Sequence, residues 1–191
     1  MELGSQVLLA LDFEQTYWRT FLSNAILFKD VKELLDDIRL LGIPIAIVTD
    51  LTAQIQFRKV VYFELDNYFD YIVTSEEAGF DKPHEAPFKI ALEKMQPKGN
   101  CIWMIGDNPI SDILGARQKI NAVTLQKVQT ISARNIEGIE PDASFSKFSD
   151  LRKLLKKLRN CSTSILTWQI PIEWRMNPNQ LMSCTLVIQT V

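Results

Sequence analysis

The sequence predicts a doubly wound, Rossmann-like α/β domain built on a parallel sheet, and three observations predict it. Short, wholly apolar runs alternate with amphipathic stretches of about ten residues. The two clearest apolar runs end abruptly at Thr49-Asp50 and Gly106-Asp107, as strands buried on both faces do. The chain has 191 residues, 47% hydrophobic and 23% charged, the size and composition of one ordinary globular domain.

The elements follow in order. Between Lys29 and Leu41, Val31, Leu34, Leu35, Ile38 and Leu41 recur at helical spacing, and Gly42 ends the helix. Ile43 to Val48 reads as a buried strand and Thr52 to Phe63 as a second helix. Tyr71 to Val73 is a short strand, and Ser75 to Pro83 is a loop holding Gly79 and Pro83. Glu85 to Met95 returns to helical periodicity, with His84 at its start. Cys101 to Ile105 repeats the buried-strand pattern, Ile110 to Lys119 is helical, and Ala122 to Leu125 is a further strand.

Charge and composition narrow the chemistry. Twenty-one Lys plus Arg against 23 Asp plus Glu give a formal charge of −2, so neither a nucleic acid nor an anionic membrane is an expected partner. No apolar run reaches the roughly 20 residues of a bilayer span, and no signal-peptide pattern opens the chain. A single histidine, His84, excludes His-rich metal sites and leaves acid chemistry to carboxylates. Cys101, Cys161 and Cys184, an odd number without CxxC spacing, argue against a disulfide framework and for a reducing, cytoplasmic setting.

In parallel α/β sheets, function gathers at the carboxyl ends of strands. Three candidate groups stand there. Thr49 offers a hydroxyl, and the adjoining backbone N–H a second donor, to an oxyanion; a lone threonine here is more often an ordinary helix N-cap. Lys82, in Gly79-Phe80-Asp81-Lys82-Pro83, offers a point charge to phosphate oxygens; alone, it reads as an exposed loop lysine. In Gly106-Asp107-Asn108-Pro109-Ile110-Ser111-Asp112, a glycine permits a tight turn and two carboxylates follow that one cleft accommodates, hard ligands suited to Mg2+. The competing reading of that stretch is a helix start, with Asp107 or Asn108 capping and Asp112 solvated.

Taken in order, hydrophobic-Thr49, Lys82-Pro83 and Gly106-Asp107-x4-Asp112 resemble motifs two, three and four of the haloacid dehalogenase superfamily, whose members are mostly magnesium-dependent phosphatases. The resemblance runs from about Phe28 to Leu158, and the 75–84 loop resembles the branch that handles small phosphorylated metabolites. It implies that Thr49, with Asp50, and Lys82 bind the phosphoryl group, Thr49 and Lys82 acting in catalysis. It also implies that Asp107 ligates Mg2+ and that Asp112 assists the metal or orients Lys82. A receiver domain, which shares the sheet, would need acidic strand ends where this chain has Thr49 and Ser75.

The resemblance further implies a first strand ending in Asp-x-Asp-x-Thr, whose first Asp attacks phosphorus. The nearest stretch is Val7 to Thr16, with Asp12 as the nucleophile and Glu14 as the acid/base. Alternatively, Asp12 to Asn24 is an amphipathic helix bearing Phe13, Tyr17, Phe21 and Leu22, a remnant of a cap domain that is largely absent. The expected organisation is therefore 1–27 as cap remnant or degenerate strand, 28–159 as core, and 160–191 as an extension.

In such a sheet the first strand lies between the Thr49 and Asp107 strands, and an empty slot would strand two rows of backbone groups. Val7 to Leu11 or a strand from the tail must fill it. Residues 160–191 read as strand-turn-strand around Asn177-Pro178-Asn179, either a replacement strand, an oligomerisation hairpin, or an extension without a packing role.

Overall fold

The computed structural model describes residues 6–98, 101–128, 138–161 and 184–188. A long helix α1 (Gln6–Asn24) precedes α2 (Val31–Leu40), β1 (Ile45–Thr49), α3 (Ala53–Tyr62), β2 (Tyr71–Thr74), the single turn α4 (Ser75–Ala78) and α5 (Glu85–Met95). Then come β3 (Cys101–Gly106), a π-helical turn (Pro109–Leu114), α6 (Gly115–Ile120), β4 (Val123–Lys127), β5 (Ala143–Phe145), α7 (Phe148–Cys161) and β6 (Cys184–Ile188). Asn121 and Gln96 end their helices in left-handed conformations.

The six strands form one sheet in the order β2-β1-β6-β3-β4-β5, with every pairing parallel. Alternation along β1 feeds two cores: Ile45 and Ile47 face α2, α3 and α7, while Ala46 and Val48 face α5 and α6. Helices on both faces explain why all five β1 residues and all six β3 residues are buried. The doubly wound parallel architecture is thus as the sequence predicts.

The centre of the sheet is filled from the tail. β6 lies between β1 and β3, in register with both, Ile188 standing level with Ile47 and Ile105. Val187 is wholly buried among Val48, Val73 and Met104. The rival segment 7–11 lies within α1 and carries no strand. The expected turn at 177–179 lies outside the described residues. Cys101 is disulfide-bonded, which corrects the expectation drawn from the odd cysteine count. Among the described residues, no helix is long and apolar enough to cross a membrane.

The outer strands are held by polar contacts. The Asp142 carboxylate accepts hydrogen bonds from the Thr124 amide and hydroxyl, both at 2.8 Å, and pairs with Arg117 at 2.9 Å. Partial burial pushes its carboxyl upward, but these bonds outweigh burial and hold it below the usual range.

Two predictions follow from this packing. Val187→Ala lowers stability by about 2 kcal/mol, while Val187→Asp, burying a lone carboxylate, abolishes the cooperative urea transition. Because the folded Asp142 binds its proton more weakly than the unfolded chain, its contribution is present above about pH 4 and lost as pH falls through the folded value. Asp142→Asn therefore loses less of its urea midpoint on acidification than the native chain does.

Candidate active site

The rim at the carboxyl ends of β1, β6 and β3 collects the charged groups. Thr49 is the last residue of β1 and is 2% exposed, and its hydroxyl oxygen accepts a hydrogen bond from the Leu51 amide at 3.3 Å. It does not cap α3; Thr52 occupies that position. Asp50 ties the neighbouring loop down. Its Oδ1 accepts the Lys82 backbone N–H at 2.9 Å, and its carbonyl accepts the Ser75 hydroxyl at 3.1 Å.

That loop brings Lys82 inward rather than leaving it in solvent. α4 begins with Thr74, whose hydroxyl oxygen accepts the Glu77 N–H, and ends at Gly79 in a left-handed conformation with φ 73°. His84 caps α5, its Nδ1 accepting the Ala86 N–H, as expected of a helix-start residue. The Lys82 side chain is completely buried. Its Nζ donates to the Val48 carbonyl at 3.0 Å and to Asp112 Oδ1 at 2.8 Å, with Asp50 Oδ2 at 4.0 Å.

Asp112 is equally buried, and both of its oxygens are engaged. Oδ1 also accepts the Ser111 hydroxyl at 3.3 Å, and Oδ2 accepts the Asn108 amide at 2.9 Å. The local sequence builds this inward aim. The Asn108 side chain caps the turn by accepting the Ile110 and Ser111 amides, and the Ile113 amide reaches back five residues to the Asn108 carbonyl, which makes the turn π-helical. Gly106 completes it, since a Cβ there would lie 2.5 Å from the Asp112 Cβ and Oδ2. The expected regular helix from Ile110 is therefore a π turn followed by α6.

Asp107 lies one residue beyond β3, half-buried, and its carboxylate makes no hydrogen bond or ion pair among the described residues. Its carbonyl accepts the Gln126 side-chain amide at 3.4 Å. Since Ile47, Ile188 and Ile105 are level, Thr49 and Asp107 stand two residues further up, about 10 Å apart across the β6 position. Thr49, Asp50, Lys82, Asp107 and Asp112 thus share one rim. Sequence reasoning missed Gln126, the Val48 carbonyl and Ser111; the polar Gln126 directly after the apolar β4 run was the available signal for the first.

Asp112 is committed to Lys82, which leaves the Asp107 carboxylate as the group of this turn that could hold a hard cation together with water and substrate oxygens, and β6 carries no carboxylate. Asp12 and Glu14 lie in α1, where Glu14 pairs with Arg58 at 2.8 Å. Their place in a helix leaves neither at a strand end, where an attacking carboxylate would have to stand.

An open parallel sheet with a threonine, a buried lysine and a Gly-Asp turn at one rim places the chain among doubly wound α/β domains that gather charged groups at the carboxyl ends of their strands. Comparison with known proteins makes it specific: the chain belongs to the haloacid dehalogenase-like hydrolase family, whose sequence model matches residues 9–126. It is 37% identical over 119 residues to a ribulose-1,5-bisphosphate 5-phosphatase of Halopiger xanaduensis, a match spanning 62% of this chain and 48% of that protein. It is 31% identical over 132 residues to the pyrophosphatase PpaX of Bacillus mycoides, spanning 69% of this chain and 60% of that protein. The chain therefore spans about half to three-fifths of these relatives' length.

Solved structures agree in fold. A HAD phosphatase from Thermococcus onnurineus matches with a TM-score of 0.61 at 23% identity, over 68% of this chain and 58% of that one. The magnesium-bound form of the HAD-hydrolase YfnB from Bacillus subtilis matches with a TM-score of 0.63 at 24% identity, over 75% and 61%.

The geometry predicts the cost of disturbing the ion pair. Lys82→Met leaves Asp112 buried without its cation and lowers stability by about 3–5 kcal/mol in urea denaturation, much of which the added Asp112→Leu recovers. Gly106→Ala costs about 1–3 kcal/mol, because the new methyl displaces the Asp112 carboxylate.

Proposed function

We propose that the chain recognises the phosphoryl group of a small phosphorylated metabolite at the rim of Thr49, Asp50 and Lys82. In this reading it is the core of a phosphatase-type domain whose attacking carboxylate the described residues do not supply. The observation that carries it is the wholly buried Lys82 ammonium, drawn beneath the end of β1 by the Val48 carbonyl and Asp112. Phosphoryl chemistry rests on positioning and charge neutralisation more than on covalent ingenuity, and a fixed cation below an oxyanion site supplies both. The Thr49 hydroxyl oxygen accepts from the Leu51 amide, so its proton is available to a phosphate oxygen, with the Asp50 amide beside it. Relatives described as phosphatases and a pyrophosphatase support the substrate class.

In this proposal Lys82 offsets charge on the bound phosphoryl group, Asp112 orients Lys82, and Asp107 faces the same rim as the remaining acidic group. A complete hydrolase using Asp12 and Glu14 is disfavoured by their place in α1.

Inorganic phosphate therefore raises the melting temperature with the logarithm of its concentration above Kd, by about 1.4 kcal/mol of added stability at tenfold excess over Kd, and Thr49→Val weakens the effect. Mg2+ alone leaves the melting temperature unchanged, and an aryl phosphate is not hydrolysed with or without it. Absence of any phosphate-dependent shift, or turnover that Asp12→Asn abolishes, would overturn the reading.

A further inference from the structure

We propose that the apolar cavity between the end of α1 and the helices α2 and α3 binds a free medium-chain carboxylate, its hydrocarbon body inside and its head group at Lys59. The inference does not rest on the phosphate reading. The cavity lies on the α2, α3 and α7 face of the sheet and has a volume of about 300 Å³, within the range of small-molecule sites. Its walls come from Ile105 of β3, Leu34 and Leu35 of α2, Val60 of α3, and Phe21 and Leu22 of α1. Every lining side chain is apolar except two, Gln56 and Lys59. They stand three residues apart on α3, one turn along the same face.

Size and charge select the occupant. A dry cavity of about 150 Å³ takes up benzene, so one twice as large accommodates a hydrocarbon body of about eight to twelve carbons. Ordered water is a poor filling, because each molecule needs several polar partners and these walls offer two such side chains. A sugar phosphate is equally unsuited, since its hydroxyl groups would be buried against leucine and phenylalanine. Lys59 supplies the charge. It is half-buried, and among the described residues its ammonium makes no hydrogen bond or ion pair. Burial alone pushes its pKa below the ordinary lysine value, with no carboxylate offsetting the effect. Its neighbour Arg58 differs, being paired with Glu14 at 2.8 Å. A lysine lays its methylene stem along apolar surface and carries its charge to the edge. An anionic head group held there keeps its own charge near water while its tail enters the cavity.

Calorimetric titration of the full chain with hexanoate, octanoate and decanoate, and with 1-decanol as the uncharged counterpart, tests this. One carboxylate is expected to bind per chain, and each added methylene tightens Kd about three- to fourfold. Lys59→Met keeps the stem and removes the charge; it weakens decanoate about fivefold and leaves 1-decanol unchanged. Ala25→Trp places an indole in the cavity and abolishes binding of both, with the melting temperature reporting that the chain remains folded. Should that variant not fold, Lys59→Met decides alone. Absence of decanoate binding, an affinity indifferent to chain length, equal losses for decanoate and 1-decanol in Lys59→Met, or undiminished binding by folded Ala25→Trp would each overturn the proposal.

Discussion

The buried ion pair between Lys82 and Asp112 is the constraint on which the rim depends. Neither charge is tolerable alone in a site without solvent, so each requires the other at hydrogen-bond distance. Holding them at 2.8 Å fixes the 79–84 loop against the 106–114 turn at the rim of the sheet. It demands a glycine at 106, an Asn108 cap, and a π turn that swings Asp112 inward. Asp50 reinforces the same arrangement by receiving the Lys82 amide. The rim is thus a mutual arrangement of two loops, and Thr49 and Asp107 are set by strands whose ends those loops pin.

Much of this was legible in the sequence. The apolar runs ending at Thr49 and Gly106 lie in strands, and α2, α3 and α5 sit within about two residues of where periodicity puts them. Those elements are local, so their residues carry their own instructions. What was not legible depends on distant partners. The need for a strand between β1 and β3 was legible, and the tail was one of two segments that could meet it; which one does so was not, because pairing with strands more than 75 residues earlier leaves no local mark on Cys184 to Ile188. β5 is only three residues long and bears no periodic signal. Spacing placed Asp107 and Asp112 in one turn but could not distinguish the half-buried carboxylate from the one consumed by a lysine, because that is decided by burial.

β6 completes the sheet without bringing a carboxylate to its centre. A parallel sheet requires its central rows of N–H and C=O groups to be paired, and any apolar β-forming segment of the right length meets that requirement. A strand that also delivers an attacking carboxylate is a narrower demand. Cys184-Thr185-Leu186-Val187-Ile188 meets the first and not the second, with Gln189, Thr190 and Val191 following. In the proposed reading the charge-neutralising groups come from the loops after β1, β2 and β3, and β6 closes the sheet without adding a charged group to them.

The most direct test is the amide spectrum of the isotopically labelled chain during titration with inorganic phosphate. The account predicts that the amides of Asp50, Lys82 and Asp107 shift together along one saturation curve, with residues of α1 unaffected. Shifts confined to other surfaces, or separate curves for Asp50 and Asp107, would contradict a single phosphoryl-binding rim.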